Sequence, residues 1–282
     1  MTPRIQQFFM PVLVALILAP AASCANDGSG SLSAPANLHP DCTDWSIHKL
    51  GRYEIANNVW GKGAIRNYKQ CIFGSLNSNS GLSKSMGWSW RWPKVADGVK
   101  AYPSILYGKK PWNDYSTSRL LPQEIQRLDN LMVTYKVKLK SSGAVNLLLE
   151  SWITKTKQAK PHERVGEVAV QLYQKNWPGQ AGRFIEPVVI DGIKFDFYME
   201  KRMHVTGDRD TWVYYGFVHK GRPVYQARLD MMKFVNYLVQ HKYLNRHHYL
   251  ASVELGNEVD HGEGRTEIEH FSVSVRKRKP SG

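Results

Sequence analysis

The sequence is poor in cysteine and in long apolar runs. Three cysteines in 282 residues exclude a disulfide-dense scaffold, and their spacing matches no zinc finger. Residues 11–18 form the one continuous apolar run, which is too short to span a bilayer. Acidic residues are also scarce: 24 Asp and Glu stand against 38 Lys and Arg, a net charge of +14. No P-loop or RNP-like segment accompanies that charge. The basic residues are scattered, apart from Arg276-Lys277-Arg278-Lys279. The positive balance therefore reads as a solvated or adsorbing surface, not as a nucleic-acid site. No nucleophilic serine or cysteine motif stands out, and no metal-ligand spacing. Neither a metal nor a cofactor is expected. His247-His248 reads as surface, and a monomer is the expected state.

The N-terminus carries an export signal. Arg4 gives a positive start, the apolar run follows, and residues 19–25 are mostly small. Residues 1–25 are expected to be a signal peptide, making the protein secreted and extracellular or a surface lipoprotein. Cys24, in Ala21-Ala22-Ser23-Cys24, is a candidate lipid anchor, although the usual Leu three residues earlier is missing. Cleavage after Ala25 would discard it. Either way Cys42 and Cys71 remain as an even pair, for which a disulfide is the default in an oxidising compartment. Closing a loop of roughly 30 residues contributes about 3–4 kcal/mol in the chain-entropy model. Residues 26–40 read as a polar Gly/Ser/Pro linker, 41–276 as one domain and 277–282 as a basic tail.

Within the domain the dominant period is two. In 134–140, Tyr135, Val137 and Leu139 alternate with lysines, and Phe271, Val273 and Val275 alternate with serines. Segments 188–197 and 212–218 are further strand candidates. One stretch differs: Met231, Phe234, Val235, Leu238 and Val239 follow helical spacing, with Asp230 placed as N-cap. Many strands and one helix of about three turns predict an all-β, two-sheet sandwich with a packed helix. Nine Trp and fourteen Tyr suit a large β core. They equally suit a groove that stacks sugar rings.

The candidate chemistry lies in carboxylates. On a strand, Glu167, Ala169, Gln171 and Tyr173 share one face, while Val168, Val170 and Leu172 enter the core. Residues 249–264 hold Glu254, Glu258, Asp260 and Glu263, and spacing does not choose among them.

A set of fragments in order gives a more specific reading: Cys42-Thr43-Asp44-Trp45, Asn57-Asn58-Val59-Trp60-Gly61, Gln70-Cys71, Trp88-Ser89-Trp90, Val99-Lys100-Ala101-Tyr102-Pro103, Gly166-Glu167-Val168-Ala169-Val170, the helix at 229–238, Gly256-Asn257-Glu258 and Phe271-Ser272-Val273-Ser274-Val275. Together they resemble glycoside hydrolase family 12, which contains endoglucanases and xyloglucan-specific glucanases. The resemblance implies a β-jelly roll of two curved antiparallel sheets. It also implies a retaining endo-β-1,4-glucanase acting on a β-glucan polysaccharide, with Glu167 as nucleophile and Glu258 as acid/base about 5–5.5 Å apart. Trp45, Asn58 and Trp60 match substrate contacts, and Cys42 and Cys71 match a bridged pair. Three positions depart from the pattern, as does the segment Val259-Asp260-His261-Gly262 after Glu258. Asn146 matches an aspartate that supports the nucleophile, and its amide is expected to donate to Glu167. Ala169 and Gln171 stand where Met and Trp line the groove, which implies a wider cleft and hints at a branched glucan. These departures also motivate a second reading, a non-catalytic polysaccharide-binding protein on a hydrolase scaffold.

Overall fold

The computed structural model describes residues 40–74, 76–77, 81–82, 86–95, 98–204 and 210–279. The signal-peptide assignment, Cys24, nearly all of the linker and residues 280–282 of the basic tail lie outside them. The last strand, Val259–Lys277, runs just past the expected end of the domain.

Alternating side chains produce two sheets that share one core. The cleft-bearing sheet runs, edge to edge, Ile47–Leu50, Tyr53–Ala56, Ser104–Gly108, Ser252–Gly256, Ala144–Thr154, Arg164–Lys175, Trp212–His219, Ile193–Met203 and Arg183–Ile190. The second sheet contains Lys69–Phe73, Met86–Trp92, Val259–Lys277, Leu128–Ser141 and Gln226–Asp230. Trp88, Val133, Tyr135 and Phe271 of the second sheet pack in the same core as Leu149, Val168, Val170 and Val253 of the first. The strand Val259–Lys277 belongs to both sheets. It starts against Ala144 and Val145 and continues between Met86–Trp92 and Leu128–Ser141. This is the expected jelly-roll sandwich.

The single α-helix among the described residues, Met231–Gln240, lies where its spacing put it. Asp230 accepts from the backbone of Met232 at 3.0 Å, as an N-cap does, and also from that of Leu131. Phe234 reaches Phe195 and Phe217, so the helix seals one end of the cleft-bearing sheet.

Three expectations need correction. Segment 188–197 is not one strand, because Asp191 and Gly192 adopt positive φ and turn the chain into a hairpin. The sheets are not wholly antiparallel: Arg164–Lys175 pairs in parallel with Trp212–His219, since the intervening hairpin returns the chain beside its starting strand. Tyr173 does not share a face with Glu167. A bulge opposite Leu147 and Leu148 shifts the alternation, and Tyr173 packs against Tyr225 on the core side.

The disulfide forms between Cys42 and Cys71, 29 residues apart, and ties the N-terminal segment that carries Trp45 to the second sheet. Replacing both cysteines by serine is expected to lower stability by about 3–4 kcal/mol, read from denaturant midpoints. A loss under about 1 kcal/mol would mean that the backbone pairing of Asp41 with Ile72 holds this segment unaided.

Candidate active site

Three adjacent strands build the floor of one cleft. Glu167 projects from Arg164–Lys175, directly opposite Trp152 on one side and Tyr214 on the other. Glu258 sits in the short step between Ser252–Gly256 and Val259–Lys277. Both line the same cleft. The chain around Glu258 is closely specified. A Cβ on Gly256 would lie 2.5 Å from the Tyr102 ring and 2.7 Å from the Pro103 carbonyl, so the motif needs glycine there. Asn257 turns inward. Its Oδ1 accepts from Trp88 Nε1 at 2.7 Å and from Thr266 Oγ1 at 2.5 Å, while its Nδ2 donates to the Asn146 carbonyl at 2.6 Å. A buried amide bonded at both its oxygen and its nitrogen in this way fixes the next residue in place.

Asn146 grips Glu258 twice. Its Nδ2 donates to Glu258 Oε2 at 2.5 Å, and its Oδ1 accepts from the Glu258 backbone N–H at 2.9 Å. The expectation that Asn146 supports Glu167 is therefore corrected: on this strand it is aligned with the other carboxyl group. Glu167 takes its hydrogen bond from Trp212, whose Nε1 donates to Oε2 at 2.7 Å.

The site is unusually acidic for so basic a protein. Glu150 and Glu254 are direct cross-strand neighbours, and Glu54 lies further along the same row, across Leu106. All three are buried. Like charges placed opposite one another repel, and the structure offsets this in two ways. Lys110 reaches Glu254 Oε2 at 2.6 Å, with Ser104 donating to the same oxygen at 2.9 Å. Glu150 is instead held protonated: burial, then the charges of Glu254 and Glu167, push its carboxyl well above the usual range.

Burial also raises the central pair, Glu167 to about 8 and Glu258 to about 7. The Glu258 charge adds to the rise at Glu167, so the protons leave in two linked steps that belong to the pair. Arg164 and the Trp212 N–H both favour charge on Glu167. Glu258 accepts from the Asn146 amide, which also favours its ionised form but, unlike Arg164, brings no positive charge.

Aromatic rings line the rest of the cleft. Trp45 and Trp60 lie on it, 55% and 38% exposed, with Asn58 between them in sequence. Trp45 adopts φ of 65°, a strained conformation for a tryptophan, held by its N–H on the Asn57 carbonyl. Trp112, 48% exposed, joins Trp152 and Trp212 in a second group beside Glu167.

Gln171 does not line the cleft. It is buried and donates to the Tyr214 hydroxyl at 3.1 Å. Nor does Ala169 open a space, because Tyr102, Leu148 and Tyr214 pack over it. The wider groove expected from these two residues is filled from neighbouring strands.

The sequence reading missed Glu150, Trp152, Trp212, Lys110, Trp112 and Arg164. Glu150 and Trp152 continue the Asn146-Leu148 face of a strand whose residues are all buried, so no polar alternation marked them.

A two-sheet jelly roll with a buried and a half-buried carboxyl group paired in an aromatic cleft defines a polysaccharide-hydrolase scaffold. The chain belongs to glycosyl hydrolase family 12, whose model matches residues 51–276. It is 29% identical over 248 residues to endoglucanase S of Pectobacterium parmentieri, covering 87% of this chain and 90% of that one. A family 12 xyloglucanase from Bacillus licheniformis, solved with a ligand, superposes with a TM-score of 0.75 at 28% identity, covering 85% of this chain and all of the other. An inactive glycoside hydrolase of Phytophthora nicotianae is 22% identical over 247 residues, covering 86% of this chain and 94% of that one.

The raised carboxyl groups have a cost that can be measured. A Glu whose folded pKa lies above its ordinary value of 4.5 binds more protons folded than unfolded. Its contribution is complete below that value and is lost as pH rises towards 7–8. Thermal stability is therefore expected to be lower at pH 8 than at pH 5. Glu150→Gln should recover several degrees at pH 8 and almost nothing at pH 5. Equal shifts at both values would mean that Glu150 is ionised in the folded protein.

Proposed function

We propose that this protein is a retaining endo-β-1,4-glucanase that cleaves a neutral glucan chain laid along the cleft. The observation that carries this reading is the pair Glu167 and Glu258. Both face one aromatic cleft, and each has hydrogen-bond support from its own strand neighbours. A neutral substrate suits the floor, where Glu54, Glu150, Glu167 and Glu258 line the cleft and those that are ionised disfavour a polyanion whatever the net charge of the surface.

In the first step Glu258 gives its proton to the glycosidic oxygen, and the bond from that oxygen to the anomeric carbon breaks. The Glu167 carboxylate forms an ester bond to the same carbon from the opposite face. In the second step Glu258 takes a proton from water, the resulting hydroxyl joins the anomeric carbon, and Glu167 leaves as carboxylate. Asn146 orients Glu258 in both protonation states. Glu150, kept neutral, sits beside Glu167 without adding a charge. Trp45, Trp60 and Asn58 hold sugars at one part of the cleft and Trp112 and Trp152 at another, giving the extended grip that internal cleavage needs. The relatives named as an endoglucanase, a xyloglucanase and a xyloglucan-specific endo-β-1,4-glucanase support a β-1,4-glucan backbone. The export-type N-terminus and the disulfide support action outside the cell.

The inactive relative favours a second reading, polysaccharide binding without cleavage. One experiment separates the two. Residues 26–282 are incubated with carboxymethylcellulose, mixed-linkage glucan and xyloglucan, and new reducing ends are counted. Release from at least one polymer is expected, with a loss of about a thousandfold or more in Glu167→Gln and in Glu258→Gln. Binding with no release from any polymer would replace the hydrolase with the binding protein.

A further inference from the structure

Arg164 opens the strand that carries Glu167, and its side chain is fully buried. Its guanidinium carbon lies 4.4 Å from the Trp212 ring centre and 4.9 Å from that of Trp112, so the cation is held between two indoles. Trp152 stands edge-on to both, 5.0 Å from Trp112 and 5.4 Å from Trp212. Arg164 Nε donates to the Pro161 carbonyl at 2.7 Å, and Nη2 lies 4.0 Å from the Asp210 carboxylate. Trp152 and Trp212 belong to a small cluster separate from the main core. The single polar atom of Trp212, its indole N–H, is directed at Glu167. Stacking, hydrogen bonding and burial thus converge on the orientation of one ring.

We propose that Arg164 is a positioning residue for Glu167: clamped between Trp112 and Trp212, it fixes the indole so that its N–H stays on Glu167 Oε2 and leaves Oε1 free to attack. The inference rests on the reading of Glu167 as nucleophile. An indole N–H only donates, so it stabilises the ionised carboxyl group. A lysine could not replace the arginine, because a compact, strongly hydrated ammonium does not stack on two ring faces.

The titration of Glu167 is set by several groups. Glu258 from the strand junction and Glu254 from Ser252–Gly256 act against its ionisation, while Glu150 from Ala144–Thr154 is itself pushed well above the usual carboxyl range. Arg164 acts for it. Burial keeps Tyr102 and Tyr214 protonated beside it. Lys110 acts on Glu254 and Glu150, and His204 lines the same cleft. Loss of the clamp therefore moves the ionisation of Glu167 to higher pH.

The test uses 2,4-dinitrophenyl 2-deoxy-2-fluoro-β-cellobioside. Glu167 forms an ester to the anomeric carbon and dinitrophenolate departs as an anion, so no proton from Glu258 is needed and the labelling rate reports the nucleophile alone. The parent, Arg164→Lys and Trp212→Phe are compared across pH, with near-ultraviolet circular dichroism to confirm folding. Both variants are expected to label about ten- to a hundredfold more slowly, with the acidic limb displaced to higher pH and inhibitor affinity within about twofold of the parent. Trp212→Phe keeps the stacked ring and removes only the donor, so it carries the test if Arg164→Lys fails to fold. Unchanged rates and limbs, or a loss confined to affinity, would overturn the proposal. Failure of the parent itself to label at Glu167 would overturn the nucleophile assignment and this inference with it.

Discussion

Carboxyl groups packed against one another on a dry sheet face are the constraint on which the rest of this structure turns. Glu54, Glu150, Glu254, Glu167 and Glu258 all project from the cleft-bearing sheet or its margin, with Lys110 and Arg164 set against them. In water such groups would be charged and separate. Here burial and mutual repulsion keep part of the set protonated, the condition under which one carboxyl group can act as acid while its neighbour acts as nucleophile. The fold carries this cost because the large aromatic core shared by both sheets lies directly beneath.

The arrangement divides the charged residues by task. Lys110 pairs with one oxygen of Glu254, and Tyr115 and Asn113 satisfy Glu54, so these two residues are structural anchors for the cleft edge. Asn146 and Asn257 form a continuous link from Trp88 in the core to the Glu258 carboxyl group. Trp212 and Arg164 do the corresponding work at Glu167 from the other side. Each of the two central groups is thus held from a different direction. The surface tells a different story: the positive charge that dominates the composition is spread over the exterior, and several exposed pairs such as Arg91 with Glu263 and Lys136 with Glu269 are solvated.

Much of this was legible in the residues. Period-two alternation exposed the sandwich, and helical spacing with Asp230 located the helix within a residue. The pairing of Cys42 with Cys71 followed from their being the two cysteines beyond the expected export segment. The carboxylates were visible as candidates, but choosing Glu258 over Glu254 needed the family resemblance. Burial explains why periodicity was not enough: Glu254 is paired beneath the surface by Lys110, a contact across about 140 residues that no local pattern encodes. The same limit hid Trp112, Trp152 and Arg164, which meet only after folding. Asn146 was misassigned because a strand register places an amide against one carboxyl group or the other, and sequence alone does not fix register.

The central claim is that Glu167 and Glu258 act as a double-displacement pair. Proton NMR of the first sugars released from a soluble β-1,4-glucan tests it most directly, by following the anomeric signals before mutarotation mixes them. The account predicts that the β-anomer accumulates first and the α-anomer appears only later. Initial release of the α-anomer would mean single displacement by water, and would contradict the role given to Glu167.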